Sequence, residues 1–298
     1  MKKTLIALMG ALFLTTLSNG NLFAQDDEDG FTVGGAVRYN IIATDYYDSE
    51  SNATNPSFTW DTWRLNVDGS MSGIDLSFEY RFYPTFGTHF IHHGYMGYGF
   101  GENVYMELGV TQVPFGLETY ASNSWWFNGN YYVGLEDDYD MGINFDITPS
   151  EKLTISLAYF RQQEPEGPGW QGPTFGNSGP GRYSYDVLPG TVMMPGDTMA
   201  TGVSLRELNQ FNARVAFDIT EDIEIGGSAQ MGQLYNTVQD VSDWTTAFAA
   251  HVDGSAAGLN FKLQYSMYDY TATADDGSEA NIVQMGAYGD QYYSGANY

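Results

Sequence analysis

The sequence predicts an all-β fold, a transmembrane antiparallel up-and-down β-barrel, from three observations. Apolar residues recur at every second position in segments of about ten residues. Short and long polar connections alternate between these segments, as they do in barrels whose turns and loops lie on opposite sides of a membrane. Charged and polar residues fill the positions between the apolar ones. Each strand is therefore expected to have one apolar face and one polar face.

Residues 74–83 show this alternation most clearly. One face carries Ile74, Leu76, Phe78, Tyr80 and Phe82, and the other carries Asp75, Ser77, Glu79, Arg81 and Tyr83. Repeated on nearly every segment, the pattern is typical of a protein whose apolar side meets lipid and whose polar side faces water. An exported soluble β-protein is the alternative.

Twelve strands are predicted, each long enough to cross a bilayer core when tilted, which takes about 9–11 residues. They span residues 31–44, 60–70, 74–83, 90–100, 104–113, 138–148, 153–161, 209–219, 223–234, 244–252, 259–268 and 281–289. Short turns, rich in turn-forming residues, are predicted at 71–73, 101–103, 149–152, 220–222 and 253–255. Long loops are predicted at 45–59, 84–89, 115–137, 162–208, 235–243 and 271–280, with 115–137 as the third outer loop and 162–208 as a long irregular outer loop.

The two ends of the chain lead to separate expectations. Residues 1–24 are typical of a secretory signal, with Lys2 and Lys3 ahead of an apolar stretch. The length of residues 25–298 then predicts a single outer-membrane barrel domain, and the lack of a later run of eighteen apolar residues excludes a helical membrane protein. The segment before Tyr298 is polar and glycine-rich, which is poor for a closing strand. Either a twelve-stranded barrel closes weakly, or the chain is part of a longer barrel, which we favour.

Composition excludes several classes of function. The formal net charge is -26, and no basic stripe offsets it, so nucleic acid is not an expected partner. The chain has no cysteine, which excludes disulfides, thiolate metal sites and cysteine nucleophiles. The many loop acids are either simply solvated or bridged to lipopolysaccharide by divalent cations. No cofactor and no metal site are expected.

Charged residues on the polar strand face are candidates to line a pore. A charge facing lipid at mid-depth costs about 2–4 kcal/mol for Arg or Lys, so these side chains are expected to turn inward. The predicted pore-lining residues are Arg38, Arg64, Asp68, Glu79, Arg81, Glu107, Asp140, Arg214 and Lys262. In a barrel of this size the interior is expected to be open and hydrated, and the alternative is a packed interior with the charges in salt bridges.

The third outer loop is the candidate constriction. It begins at Pro114, which cannot donate to a strand ladder, and Gly116, which permits a sharp bend. Folded inward, the loop would bury its aromatic rings against the wall and present Glu118, Glu136 and Asp137 to the passage. The candidate constriction residues are Pro114, Phe115, Gly116, Glu118, Trp125 and Trp126. The alternative for the aromatic residues is a belt at the membrane interface.

Neither histidine spacing nor serine motifs predict an enzyme. On a regular strand His89 and His93 would share a face about 13 Å apart, too far for one metal ion. No serine lies in a G-x-S-x-G nucleophile elbow. A Ser-His-amide triad on an outer barrel wall would leave no such motif, so a barrel enzyme stays open as an alternative.

Two segments resemble a known family. Residues 62–69 (TWRLNVDG) and 108–116 (LGVTQVPFG) resemble strand motifs of the phosphate-selective porin O/P family and its porin relatives in Gram-negative bacteria. The resemblance implies a sixteen-stranded homotrimeric barrel in the outer membrane with an inward-folded third loop. It also implies passive diffusion of small hydrophilic solutes. Phosphate selectivity in that family goes with a lysine-rich lumen, whereas Lys152 and Lys262 are the only lysines here after the signal.

The sequence therefore predicts a passive outer-membrane porin whose partners are lipid, lipopolysaccharide and small solutes or ions. An outer-membrane barrel enzyme or adhesin with a closed lumen is the alternative function. Conductance of the purified protein distinguishes the two.

Overall fold

The computed structural model describes residues 29–42, 57–84, 88–118, 130, 134–165, 171–172, 176–177, 183, 205–236, 241–269, 271–273 and 279–281. Its strands are β1 (Gly30–Ile42), β2 (Ser57–Met71), β3 (Ile74–Tyr83), β4 (Thr88–Gly99), β5 (Val104–Gln112), β6 (Tyr139–Ser150), β7 (Leu153–Gln163), β8 (Gln171–Gly172), β9 (Gly176–Asn177), β10 (Leu205–Thr220), β11 (Ile223–Asn236), β12 (Val241–Ala256), β13 (Leu259–Asp269), β14 (Thr271–Thr273) and β15 (Glu279–Asn281). Within these residues no helix is long and apolar enough to cross a membrane.

Eleven of these strands form one antiparallel sheet in which each strand pairs with its neighbours in the chain. The order is β1-β2-β3-β4-β5-β6-β7-β10-β11-β12-β13, and the short pairs β8-β9 and β14-β15 stand apart from it. The predicted all-β, antiparallel, up-and-down fold is confirmed. Among the described residues, β1 and β13 form the two edges of the sheet and are not paired with each other.

Hydrophobic alternation located eleven of the twelve predicted strands. The prediction for β3 matches its bounds, and the other ten in the sheet extend or shift by a few residues. The twelfth, residues 281–289, falls outside the described residues except for Asn281, which ends the short strand β15. The predicted signal segment also lies outside them.

One predicted turn is wrong in position, and several predicted connections are shorter than expected. Residues 253–255 lie inside β12, and the turn comes at Ala257 and Gly258, whose φ angles are 52° and 80°. Two consecutive positive φ values fit a tight hairpin turn that matches the twist of its strands. The connection predicted at 235–243 is shorter than expected, because β11 continues to Asn236 and β12 begins at Val241.

The sheet is strongly curved. Leu117 donates its backbone N–H to the Gln264 side chain of β13 at 2.7 Å. Six strand positions separate β5 from β13, which is about 29 Å in a flat sheet. The five residues that follow β5 reach at most about 17 Å. The sheet must therefore curl around this segment, and we call the face that meets it the inner face.

The two faces differ in chemistry in the way that the alternation predicts. Large apolar side chains on the outer face stay exposed, with 37% of the surface of Leu76 and 63% of that of Leu263 accessible. The inner face carries buried polar and charged side chains, among them Glu79, Arg81 and Arg214. Polar groups are therefore enclosed by the curve, and apolar groups face outward.

Candidate functional site: the inner face and its inward segments

All nine predicted pore-lining residues lie on the inner face. Strand register places them there: Arg38 follows Ala36, which pairs with Arg64, and Arg64 pairs with Arg81 on β3. The remaining six have the same orientation, and they are Asp68, Glu79, Glu107, Asp140, Arg214 and Lys262. The prediction that charged strand residues turn away from the apolar face therefore agrees with the register.

Ion pairs connect most of the inner basic residues to carboxylates. Arg38 pairs with Asp61, Arg81 pairs with Glu79, and the Lys262 Nζ lies 3.4 Å from Asp253. These pairs are the arrangement that the sequence allowed as the alternative to free charges. Asp140 is also fully buried, with 0% of its surface exposed, so it is not at a wetted surface in this structure.

The first part of the third outer loop folds onto the inner face. Pro114, Phe115, Gly116 and Leu117 are all buried. The Gly116 N–H donates to Ser228 Oγ of β11 at 2.8 Å, and the Gln112 side-chain amide donates to the Glu118 carbonyl at 2.6 Å. The inward direction predicted for this loop is what the structure shows for residues 113–118. Trp125 and Trp126 lie outside the described residues.

Gly116 occupies a position where other residues are disfavoured. Its φ is +59°, a left-handed conformation that costs L-residues roughly 1–2 kcal/mol. A Cβ atom on Gly116 would also overlap the Gln264 side-chain amide, which holds the next residue of the loop. Glycine thus permits both the bend and the close approach to β13.

Arg214 of β10 is the centre of the contacts that hold this segment, and we call its surroundings the Arg214 cluster. Its Nε donates to the Gly116 carbonyl at 2.9 Å. Its two Nη atoms lie 3.4 Å from Glu118 and 2.8 Å from Glu224. His251 Nε2 lies 3.2 Å from Arg214 and 3.0 Å from Glu224. One buried guanidinium therefore joins the loop, two carboxylates and an imidazole.

Glu118 is one of two partly exposed carboxylates in the cluster. Its side chain is 36% exposed and that of Glu224 is 32% exposed, against 6% for Arg214. Burial raises the pKa of the Glu118 carboxyl above its ordinary 4.5, while the positive charge of Arg214 opposes the rise. Glu118 can thus present a negative charge that weakens as the solution becomes acidic.

A second cluster surrounds Arg81 of β3 on the inner face, and we call it the Arg81 cluster. The guanidinium pairs with Glu79, whose second oxygen accepts a hydrogen bond from Asn66 at 2.6 Å. The Arg81 Cζ lies 4.3 Å from the ring centroid of Tyr183. Tyr183 belongs to the long segment between β7 and β10, for which the sequence predicted only an irregular loop. No local pattern in the sequence indicates that this residue reaches the inner face.

The histidines depart from the prediction because β4 has a bulge. The register between β3 and β4 shifts at Glu79 and Tyr80, so His92 is an extra residue without a partner in the β3 register. An extra residue reverses the alternation beyond it. His89 therefore lies on the outer face, where its Nδ1 meets the Tyr80 hydroxyl at 2.6 Å, while His92 and His93 contact each other at 2.8 Å near the inner face. The expectation that His89 and His93 share a face is wrong.

Ser77 and His93 come within hydrogen-bonding distance, 3.1 Å between Oγ and Nε2. The Ser77 hydroxyl already donates to Asp68 at 2.7 Å. The other ring nitrogen of His93 faces His92 rather than a carboxylate. In a hydrolytic triad the carboxylate orients the histidine, so these three residues do not have the order of roles that serine hydrolysis uses.

Three buried carboxylates meet near the starts of β6 and β10. Asp138, Asp140 and Glu207 each offer an oxygen within 4.8 Å of the others, and Asp140 also accepts a hydrogen bond from Gln210 at 3.1 Å. Oxygen donors at this spacing suit a hard divalent cation. No pattern in the sequence indicates this grouping, because Glu207 lies far from the two aspartates along the chain.

No protein-family model matches the chain and no curated protein matches it. Among solved structures, the chain is similar to the outer membrane channel DcaP of Acinetobacter baumannii, with 11% identity, 86% of this chain and 72% of that chain covered, and a TM-score of 0.49. It is also similar to the trimer form of OmpT, an outer membrane protein of Vibrio cholerae, with 13% identity, coverage of 85% and 80%, and a TM-score of 0.40. A third is an anion-selective porin from Comamonas acidovorans, with 14% identity, coverage of 81% and 79%, and a TM-score of 0.36.

Proposed function

We propose that this chain is an outer-membrane porin that lets small hydrophilic solutes or ions diffuse through a water-filled lumen bounded by the inner face. The observation that carries the proposal is the inverted distribution of side chains. Leu76, Leu108, Phe217 and Leu263 are exposed on the outer face, whereas Glu79, Arg81 and Arg214 are enclosed by the curved sheet.

Lipid explains this distribution better than water does. Burying apolar surface gains about 25 cal/mol per Å², and an outer face of large exposed side chains would forgo that gain in water. In a bilayer the same face is solvated by hydrocarbon, and the backbone is satisfied by strand pairing. The inner charges then lie where water and partner residues, rather than lipid, surround them.

The inward segment sets the proposed size limit of the passage. Residues 113–118 cross the inner face from β5 to contacts on β10, β11 and β13. Glu118 is the partly exposed charge on this segment, so we expect the narrowest part of the bore to favour cations. The pore-lining roles of Arg38, Arg64, Asp68, Glu107 and Lys262 belong to this proposal.

Location and assembly complete the proposal. Residues 1–24 would direct export and be removed, leaving residues 25–298 in the bacterial outer membrane. The outer face would contact lipid and lipopolysaccharide. We expect a homotrimer, as implied by the porin motifs at 62–69 and 108–116, and we expect no catalytic activity.

A closed barrel enzyme or adhesin is the second candidate, and one observation favours it. Several inner-face groups, including Thr111 and Asp140, have 0% exposure, as they would in a packed interior. Under that alternative the loops or the outer wall would hold the function, and the lumen would not pass ions.

Planar-bilayer recording of the purified protein decides between the two. The porin proposal predicts stepwise, nearly ohmic currents with cations favoured over anions in a salt gradient. Hydrolysis of lipid esters without any conductance would instead support a closed barrel enzyme. Heat-denatured protein from the same preparation serves as the control for contaminating channels.

A further inference from the structure

Tyr183 lies in a notch formed by residues of three strands. Its ring centroid is 4.3 Å from the Arg81 Cζ and 4.0 Å from the His92 ring centroid. The rings of Tyr139 and Phe90 lie farther out, with centroids at 5.8 and 6.1 Å. These four residues come from β3, β4 and β6, so three strands enclose a single aromatic ring.

The phenol hydroxyl has its own partner in the notch. Tyr183 donates its hydroxyl to the Asp137 carboxylate. Burial, reinforced by the negative charge of Asp137, raises the pKa of Tyr183, so the hydroxyl remains a donor at neutral pH. The notch therefore supplies a cation for the ring face, aromatic walls for its edges and an acceptor for the hydroxyl.

Three walls of the notch, Arg81, Phe90 and His92, are held by contacts that do not involve Tyr183. Arg81 pairs with Glu79 and reaches the Tyr83 hydroxyl at 3.4 Å. Tyr83 also stacks on Phe90, with ring centroids 5.3 Å apart, and the His92 Nδ1 lies 2.8 Å from His93. A site whose walls are fixed in advance binds at lower entropic cost, and the shape of the notch should persist when Tyr183 is replaced.

We propose that Arg81, Phe90, His92, Asp137 and Tyr139 form a binding site for a neutral phenol, and that Tyr183 is its resident occupant. A free phenol with a small para-alkyl group matches the same contacts. An aromatic carboxylate does not, since its negative charge would face Asp137. An aromatic hydrocarbon fits between the walls but offers no hydroxyl donor to the Asp137 carboxylate.

The tethered tyrosine competes with any free phenol. A group held on the same chain acts at an effective concentration of order millimolar. Wild-type protein should therefore take up p-cresol weakly, and removal of the Tyr183 ring should strengthen that binding. Binding at this site is measured directly, without a channel assay.

The experiment measures p-cresol binding by isothermal titration calorimetry on the full chain in detergent micelles. We expect Tyr183→Ala to bind one p-cresol saturably and at least tenfold more tightly than wild type. Toluene should bind that variant at least tenfold more weakly, because it lacks the hydroxyl. Tyr98→Ala, which removes an exposed outer-face tyrosine, is the matched control for partitioning into micelles.

Two further variants keep the proposal testable if Tyr183→Ala does not fold. Tyr183→Phe keeps the ring but loses the bond to Asp137, and it should bind p-cresol more tightly than wild type. Adding Asp137→Asn should reduce the preference for p-cresol over toluene. The proposal is overturned if Tyr183→Phe and Tyr183→Ala take up no more p-cresol than Tyr98→Ala, or if toluene binds as well as p-cresol.

Discussion

Two buried arginines on the same inner face hold two different segments of the chain. Arg81 and Arg214 are buried to a similar extent, since 6% and 5% of the whole-residue surface is exposed. Arg81 meets one carboxylate and a set of aromatic rings around Tyr183. Arg214 meets two carboxylates, an imidazole and the carbonyl of Gly116. The two arginines are therefore similarly buried, but they contact different partners and have different roles.

The different partners of the two arginines imply different roles: the Arg81 cluster should affect structure, and the Arg214 cluster should also affect ion selectivity. The Arg81 cluster encloses an aromatic ring, and its carboxylate Glu79 is itself buried. The Arg214 cluster contains Glu118, whose side chain is 36% exposed. Loss of Arg81 should therefore weaken the binding of the Tyr183 ring. Loss of Arg214 should weaken the contacts of the inward segment and also change the charge at the proposed constriction.

Arg214→Ala should have the largest effect. It breaks the ion pairs with Glu118 and Glu224 and the hydrogen bond to the Gly116 carbonyl, and each such contact with a charged group contributes roughly 1.5–3 kcal/mol. We expect a lower unfolding midpoint in urea, followed by tryptophan fluorescence, and a larger single-channel conductance because the Gly116 carbonyl is released. Arg161→Ala, at an exposed position, is the control. An unchanged midpoint and conductance would show that Arg214 does not hold the inward segment.

Arg81→Ala should have a smaller effect on stability. Glu79 keeps its hydrogen bond from Asn66, but both side chains of the Arg81–Glu79 pair are buried, so removing the guanidinium costs about 3–5 kcal/mol. Cation preference should remain as in wild type, because Glu118 and Arg214 are untouched. Reversal potentials in a salt gradient check this, and a shift as large as that of Arg214→Ala would show that the two clusters are not separate.

Ser228→Ala tests a single hydrogen bond of the inward segment. The Gly116 N–H would lose its acceptor, at a net cost of about 1 kcal/mol. We expect a modest decrease in the urea midpoint together with noisier open-channel current. Ser242→Ala on the neighbouring strand, at an exposed position, should leave both unchanged. Equal effects of the two substitutions would contradict the assignment.

Glu118→Gln should change selectivity with little change in stability. One charge about 7 Å from a passing ion in water contributes about 0.6 kcal/mol, or roughly a two- to threefold change in permeability ratio. Because burial raises the pKa of Glu118 above 4.5, wild-type cation preference should fall as pH decreases through a value above 4.5. The variant should lose this part of the pH dependence. Retention of the full pH dependence would assign the charge to another group.

Sequence alternation was sufficient for the eleven strands of the sheet and for the faces of their residues outside the bulge in β4. The alternation with a period of two arises because apolar and polar residues point to opposite faces of a strand. It predicted the bounds of β3 and the inward direction of Arg64 and Arg81. The motif around Pro114 and Gly116 likewise predicted an inward segment, because proline ends the ladder and glycine permits the bend.

Register changes and distant partners could not be predicted. The bulge at His92 and the turn at Ala257 depend on pairing with a neighbouring strand, and alanine carries no turn signal of its own. Arg214 and Gly116 are far apart in the sequence, as are Arg81 and Tyr183. Such contacts arise only when the sheet curves, so no local pattern encodes them.

Cysteine labelling in liposomes most directly tests the claim that the polar face is hydrated and the apolar face meets lipid. The chain has no native cysteine, so single variants give a clean signal. Asp68→Cys on the inner face and Leu65→Cys on the outer face lie on the same strand, β2. A charged, membrane-impermeant methanethiosulfonate reagent should modify Asp68→Cys and reduce conductance, while leaving Leu65→Cys unmodified. Modification of Leu65→Cys with protection of Asp68→Cys would contradict the inverted arrangement.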